Sequence, residues 1–301
     1  MQQFFDYSDE VKLAIQDSRP LLALESTLIT HGLPSPINLE TAVAIEKIAR
    51  EHGVTPATIA IVEGKIKIGL SAEELKTIAN DKQVAKASVR DIPFIISKKL
   101  SAGTTVAATL FCASYAGIKV FATGGIGGVH RGDDQDISAD LIELSKTSIA
   151  VVCAGAKAIL DLPKTLEFLE THSIPIVGYR TDTLPAFYTS ETEYKLPARV
   201  DDITSIVNIL RIHWQLGMTS GVLIANPISL NDEISSDIIE HAIVGALQKA
   251  KKKQINGKAI TPFLLNEVAI VTKGKSLQAN INLIKNNVRL GAMLARQLSN
   301  E

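Results

Sequence analysis

The chain has 301 residues, 46% of them hydrophobic, with 31 basic against 32 acidic side chains and a formal net charge of −1. That length and apolar content suffice for one large core, and the balanced charge offers no net-positive field to recruit nucleic acid without regard to sequence. Its two cysteines, Cys112 and Cys153, both sit in apolar stretches, which excludes a disulfide scaffold. No apolar run approaches the ~20 residues of a membrane helix. The acidic start MQQFFDYSDEVKLAI lacks the basic n-region of a signal peptide, so no membrane association and a cytoplasmic location are expected.

In chain order, the first apolar run, 20–25, reads as a strand ending on Glu25 in LALESTLITHG. A glutamate fits a core poorly, so Glu25 is either salt-bridged at a sheet rim or a general acid at a strand end. A helix is predicted over 39–51, with Asn38 as N-cap and closure at Gly53. TIAIVEGKIKIGL alternates as two strands, 58–62 and 65–69, about a tight Glu63-Gly64 turn. Ser71 with Glu74 spells a capping box for the next helix. Lys86 and Arg90 lie in KASVRD, a strand is predicted over 93–97, and Thr104-Thr105-Val106 opens a helix through AATLFCASYAG. Such basic groups and helix-start amides suit a phosphate monoester.

The strand predicted over 118–123 runs into TGGIGGVHRG. Gly125-x-Gly127 is followed three positions on by His130, so this is neither a dinucleotide fingerprint nor a phosphate loop with Gly-Lys-Ser/Thr. It suits a sharp turn at the carboxyl end of a strand, the edge where open α/β sheets place ligands, with His130 and Arg131 facing that edge. DISAD, residues 136–140, then leads into a helix over 141–146. Ser138 can cap that helix, and the same helix N-terminus can bind phosphate. Asp136 can give one carboxylate to a hard, mostly water-coordinated Mg²⁺ or Mn²⁺. The strand over 148–153 passes through Ala154-Gly155-Ala156 to Lys157, whose stem therefore starts from a buried place. Burial turns an amine into a nucleophile toward carbonyls; an ordinary surface lysine is the alternative.

Further strands are predicted over 174–179 and 221–225, several of the set apolar on both faces, as in sheets covered by helices on both sides. Phe187 and Tyr188, in LPAFYTSE, suit either an aromatic wall for a ligand or the core. The basic run 249–253 is a solvated helix end. A helix over 276–298, with the stripe Leu277, Ile281, Ile284, Val288 and Leu290, packs on the body or on another subunit. The class is α/β with a mixed sheet, and a single domain over 1–301 is expected, since no repeat or linker divides the chain.

Taken together, ESTLITHG, PSPINLETA, KASVRD, TTVAAT, FATGGIGGVHRG, DISADL, VVCAGAK, NPI and TPFLL resemble, in order and spacing, the pseudouridine-5'-phosphate glycosidase family, also described as indigoidine synthase A-like proteins. The resemblance runs from about Leu22 to the C-terminal helix. It implies a three-layer α/β/α fold with a mixed, mostly parallel sheet, a homotrimer, and reversible cleavage of the C–C glycosidic bond of pseudouridine 5'-phosphate to uracil and ribose 5-phosphate. It further implies Lys157 as the nucleophile at C1' of a ring-opened ribose, held as a lysine imine, and Glu25 as the proton donor. Asp136 is implied as the ligand of one Mn²⁺ per subunit. Lys86, Val106 and Ser138-Ala139-Asp140 are implied as substrate-binding positions, with His130 and Asn280 as further pocket residues. The short stretch before Asp136 makes Asp133 and Asp134 alternative metal ligands. The sequence ends at Glu301 without the sugar-kinase domain of some fused relatives, so a separate pseudouridine kinase is expected to supply the substrate.

Two other enzyme readings keep the lysine: a class I aldolase-type lyase on another sugar phosphate, and a C-glycosidase for a related C-nucleotide. A nucleotide-sensing protein that has lost the chemistry is the non-enzymatic alternative, against which the pairing of Glu25 with Lys157 argues.

Overall fold

The computed structural model describes residues 2–132, 135–255 and 257–299. Along the chain the strands are β1 (Phe5–Tyr7), β2 (Leu21–Leu24), β3 (Thr55–Val62), β4 (Lys65–Ile68), β5 (Ala85–Ala87), β6 (Ala102–Thr104) and β7 (Val120–Ala122). They continue with β8 (Val129–His130), β9 (Ala150–Cys153), β10 (Leu160–Asp161), β11 (Ile176–Tyr179), β12 (Ala198–Val200) and β13 (Val222–Ala225). The first helices are α1 (Asp9–Gln16), α2 (Ile37–Glu51), α3 (Ala72–Asn80), α4 (Ile92–Ser97), α5 (Val106–Tyr115) and α6 (Ala139–Leu144). After them come α7 (Leu162–Thr171), α8 (Ile203–Gln215), α9 (Ser236–Lys252), α10 (Ile260–Val271) and α11 (Lys275–Ser299).

Eleven strands form one sheet in the order β1-β4-β3-β2-β7-β9-β13-β11-β12, with β6 joined to β3 and β5 to β6. Pairing is parallel wherever crossover helices connect the strands, as in β2–β7, β7–β9 and β9–β13. It turns antiparallel only where β3 meets β4 and β6. Strand β3 does both jobs: Thr55–Thr58 run beside β2, and Ile59–Val62 turn back against β4. The predicted hairpin is present, with Val62 opposite Lys65 and both Glu63 and Gly64 at positive φ, as a two-residue turn between twisted strands requires. A separate two-stranded pair, β8 with β10, lies beside the glycine loop.

Helices cover both sides of the mixed, mostly parallel sheet. Helix α11 crosses β2, β7 and β9, with α2 and α8 beside it, while α5 and α6 pack together on the other side. Gly291 lets α11 approach closely: a Cβ there would stand 3.1 Å from Ala122 Cβ and from Leu22 Cδ1. The stripe residues Ile281, Ile284, Val288 and Leu290 are buried, so this face of α11 packs on the body. With helices on both faces, β7, β9 and β13 are buried along their whole length, which is why they read as unbroken apolar runs.

Two local expectations are corrected. Residues 93–97 form helix α4 and not a strand: Ser88 and Asp91 cap a preceding turn, Pro93 supplies a φ suited to a first helical turn, and Ile92 and Ile95 are buried at helical spacing while Phe94 is exposed. Asn38 is not the N-cap of α2, which begins at Ile37. Its buried side chain instead donates to the Ile29 and Ala79 carbonyls, both at 2.8 Å, tying α2 to α3 and to the wide turn Leu28–Gly32. The capping box at Ser71 and the cap at Ser138 are as expected, and Thr105 caps α5 by accepting from Ala108 N–H.

Candidate active site

The carboxyl ends of β2, β7 and β9 meet at one edge of the sheet, and a small cavity of about 60 Å³ opens there. Glu25 follows β2 directly, Gly124 and Gly125 follow β7, and Lys157 follows β9; all line the cavity. Lys86 reaches it from β5, Asn280 from α11, and His31 and Thr27 from the turn region before α2. The start of α10, through Thr261, Pro262 and Leu265, roofs it, and Phe187 forms a wall. Convergence at carboxyl strand ends is the usual ligand position of open α/β sheets.

The loops after β7 and β9 are joined by backbone bonds. Ala154 N–H donates to Gly124 O, Ile126 N–H to Gly155 O, and Lys157 N–H to Ile126 O, at 2.9, 3.1 and 3.0 Å. Phe187 N–H then donates to Ala154 O at 3.0 Å. These bonds hold Lys157 in register with the glycine loop, flanked by buried Ala156 and Ala158. The glycines at 124–128 answer a need for close approach: a Cβ on Gly125 would stand 2.6 Å from the Phe187 ring, and one on Gly127 would strike Ser138 and Asp140. Gly155, at φ +80°, is the position where the turn itself requires glycine, and its would-be Cβ would collide with the Pro185 carbonyl.

Glu25 is 8% exposed and is not salt-bridged among the described residues; its carboxylate accepts from Thr123 Oγ1 at 2.5 Å and from Thr27 Oγ1. His31 is half-buried and shares a 2.7 Å hydrogen bond with Thr30 Oγ1 through Nδ1. Burial, reinforced by the charge of Lys86, pulls its imidazole below the ordinary histidine value. Asn280 is 6% exposed and lines the cavity, and its buried Oδ1 has no hydrogen-bond partner among the described residues. A buried acceptor without a partner is uncommon in a folded protein.

Of the residues predicted from the sequence, Glu25, Lys86, Lys157 and Asn280 are brought together in this cavity. Val106, Ser138, Ala139, Asp140, His130 and Asp136 do not line it. Asp140 is buried and accepts from Gly127 N–H at 2.8 Å and Ala107 N–H at 2.9 Å, so it ties the glycine loop to the start of α5, where Val106 is fully buried. Ser138 caps α6 through Asp140 N–H, with Ala139 as the first helical residue. His130 lies in β8, opposite Leu160. His31, Thr27 and the α10 roof carried no assigned role in the sequence reading, although ESTLITHG and TPFLL contain them.

The half-buried Asp136 carboxylate makes no hydrogen bond or ion pair to a described residue, and no group of three or more His, Cys, Asp or Glu side chains among the described residues could hold a metal ion. One free carboxylate fits a hard cation that keeps most of its water. Asp133 and Asp134 lie outside the described residues.

Comparison with known proteins bears on this geometry. Residues 10–297 match the model of the family described as indigoidine synthase A like protein. The chain is 55% identical over 301 residues to a pseudouridine-5'-phosphate glycosidase of Caldanaerobacter subterraneus subsp. tengcongensis, covering 99% of this chain and 98% of the relative. It is 52% identical to one of Geobacillus kaustophilus, with 99% and 100% covered. Among solved structures, the prealnumycin C-glycosynthase AlnA, in complex with ribulose 5-phosphate, superposes with a TM-score of 0.91 at 39% identity, covering 99% of this chain and 98% of that one. An indigoidine synthase A-like protein of Thermotoga maritima gives 0.90 at 33%, with 98% and 97% covered. With its mixed sheet, its strand-end cavity and a match running through nearly every element, the chain belongs to the indigoidine synthase A-like family.

Proposed function

We propose that residues 1–301 act as one catalytic domain, a pseudouridine-5'-phosphate glycosidase that reversibly cleaves the C–C glycosidic bond to give uracil and ribose 5-phosphate. The observation that carries this reading is the meeting of Glu25, Lys157 and Lys86 in one cavity, in a chain 55% and 52% identical to glycosidases of this name.

The leaving atom, C5 of uracil, cannot depart as a free carbanion, so the bond needs a proton for C5 and an electron pair pushed toward C1' as it breaks. Lys157 supplies that pair from its nitrogen. Its amine attacks C1', the C1'–O4' bond breaks, and O4' takes a proton, leaving an open-chain sugar on the lysine. Glu25 then gives a proton to C5 as the nitrogen lone pair expels uracil, leaving an imine that water hydrolyses to ribose 5-phosphate and free Lys157. Lys86 supplies positive charge for the phosphate, and Asn280 Oδ1 an acceptor for a donor on the substrate. Val106, Ser138, Ala139 and His130 belong on this reading to the substrate's surroundings, with Asp140 holding the loop and helix start in place. Asp136 would hold Mn²⁺, which when bound supplies positive charge for oxygen atoms of the substrate.

We read the protein further as a cytoplasmic homotrimer served by a separate pseudouridine kinase. Light scattering at the mass of three chains is expected; the mass of one would refute the trimer. A related C-nucleotide is the second substrate reading, favoured by the likeness to AlnA.

The test is uracil release from pseudouridine 5'-phosphate, followed by chromatography. Lys157→Ala is expected to abolish release while substrate binding stays measurable, and Glu25→Gln to cost at least ~10²-fold in rate. Full turnover by Lys157→Ala would remove this lysine from the mechanism.

A further inference from the structure

Glu25 is held by two hydroxyl donors, and they differ in where they stand. Thr27 Oγ1 bonds Oε2 and belongs to a residue that lines the cavity. Thr123 Oγ1 bonds Oε1 at 2.5 Å from a residue that is 0% exposed and does not line the cavity. A ligand in the cavity meets Glu25 and Thr27; Thr123 stands behind them.

Thr123 is itself fixed on every side. Its N–H donates to Val152 O at 3.0 Å, and its carbonyl accepts from Asn287 Nδ2 at 2.8 Å. Asn287, fully buried on α11, accepts in turn from Asn226 Nδ2 at 2.9 Å, at the end of β13. The hydroxyl is thus mounted on the centre of the sheet and braced by a helix. The carboxyl it orients is 98 residues away in the chain.

We propose that Thr123 is a positioning residue for C–C bond cleavage, acting solely through Glu25: its hydroxyl fixes the carboxyl group in the cavity and stabilises the carboxylate left when the proton departs. This inference rests on the reading of Glu25 as proton donor. A hydroxyl donor to a carboxylate is stronger than one to the neutral acid. The interaction therefore grows along the step in which Glu25 gives up its proton, and an interaction stronger in the transition state than in the ground state raises kcat without tightening substrate binding.

Three side chains at this position separate that role from packing. Thr123→Val keeps the shape and the β-branch but lacks the donor, Thr123→Ser keeps the donor and loses the methyl, and Thr123→Ala loses both. Steady-state uracil release and thermal unfolding are measured for wild type and variants. Thr123→Val is expected to lower kcat by about 10- to 100-fold with KM unchanged. Thr123→Ser is expected to retain most of kcat even where its unfolding temperature falls. If the valine protein does not fold, Ala against Ser repeats the comparison, with Ser expected to be the faster by a similar factor. Wild-type kcat in Thr123→Val, or equal losses in Ser and Ala, would overturn the proposal. A wild-type protein that releases no uracil would overturn the substrate reading instead, and this inference with it.

Discussion

Glu25, Lys86, Lys157 and Asn280 come from four separate parts of the chain and reach one cavity. Lys157 is held by its N–H to Ile126, and Glu25 by its place after β2 and by two threonines. Residues with chemistry at strand ends can be read from a sequence, because an acid or a lysine interrupting an apolar run stands out. Thr123 and Asp140 do not stand out: a buried threonine fits any strand, and an Asp near a helix start reads as a cap. Their partners, Glu25 for one and Gly127 with Ala107 for the other, are set by the fold. The two cysteines make a contrast, since a cysteine in an apolar run has one simple reading. Both are buried, and burial pushes both thiols up to about 12. Neither thiol is then expected to react with a disulfide reagent at neutral pH while the protein is folded, and both are expected to react in denaturant. Rapid labelling of the native protein would contradict that burial.

At the scale of elements, local chemistry was legible where it is self-contained. The Glu63-Gly64 hairpin, the Ser71 capping box and the span of α11 follow from a few adjacent residues. The run 93–97 was not, because its β-branched residues favour a strand while a cap and a proline upstream commit the segment to α4. The outer sheet corner was also invisible: β1 pairs with β4, and Lys67 on β4 bonds Asp6 at 2.6 Å and Glu74 of α3 at 2.9 Å. The hydrogen bond to Lys67 holds the Asp6 carboxyl below its ordinary 3.8. Partial burial opposes the same effect at Glu74, but the Ser71 backbone and Lys67 hold its carboxyl below 4.5. Acids depressed in the folded state add stability that is present above their unfolded values and lost as pH falls through the folded ones. Lys67→Met is therefore expected to lower stability at neutral pH and to flatten its loss on acidification below about pH 4.5. Denaturant midpoints across that range provide the check, and an unchanged acid slope would show that the cluster does not couple to folding.

At the scale of the whole molecule, the order of strands decides where the chemistry stands. The central neighbours β2, β7 and β9 bring Glu25, the glycine loop and Lys157 to one edge. Alternating strands and helices announce an α/β class and the Glu63-Gly64 turn a mixed sheet, yet neither says that β6 will join β3 or that α10 will roof the cavity. Those follow from packing between distant segments. The family's resemblance reached the site by motif, and the sheet order gives the physical reason that motifs so far apart act together. The central claim is that Lys157 carries the sugar as an imine. Its most direct test is to incubate the protein with ribose 5-phosphate, reduce with borohydride, and locate the added mass by peptide mass spectrometry. The account predicts a reduced ribose 5-phosphate adduct on Lys157 that is absent from Lys157→Ala. An adduct confined to another lysine, or none from a protein that turns over pseudouridine 5'-phosphate, would contradict it.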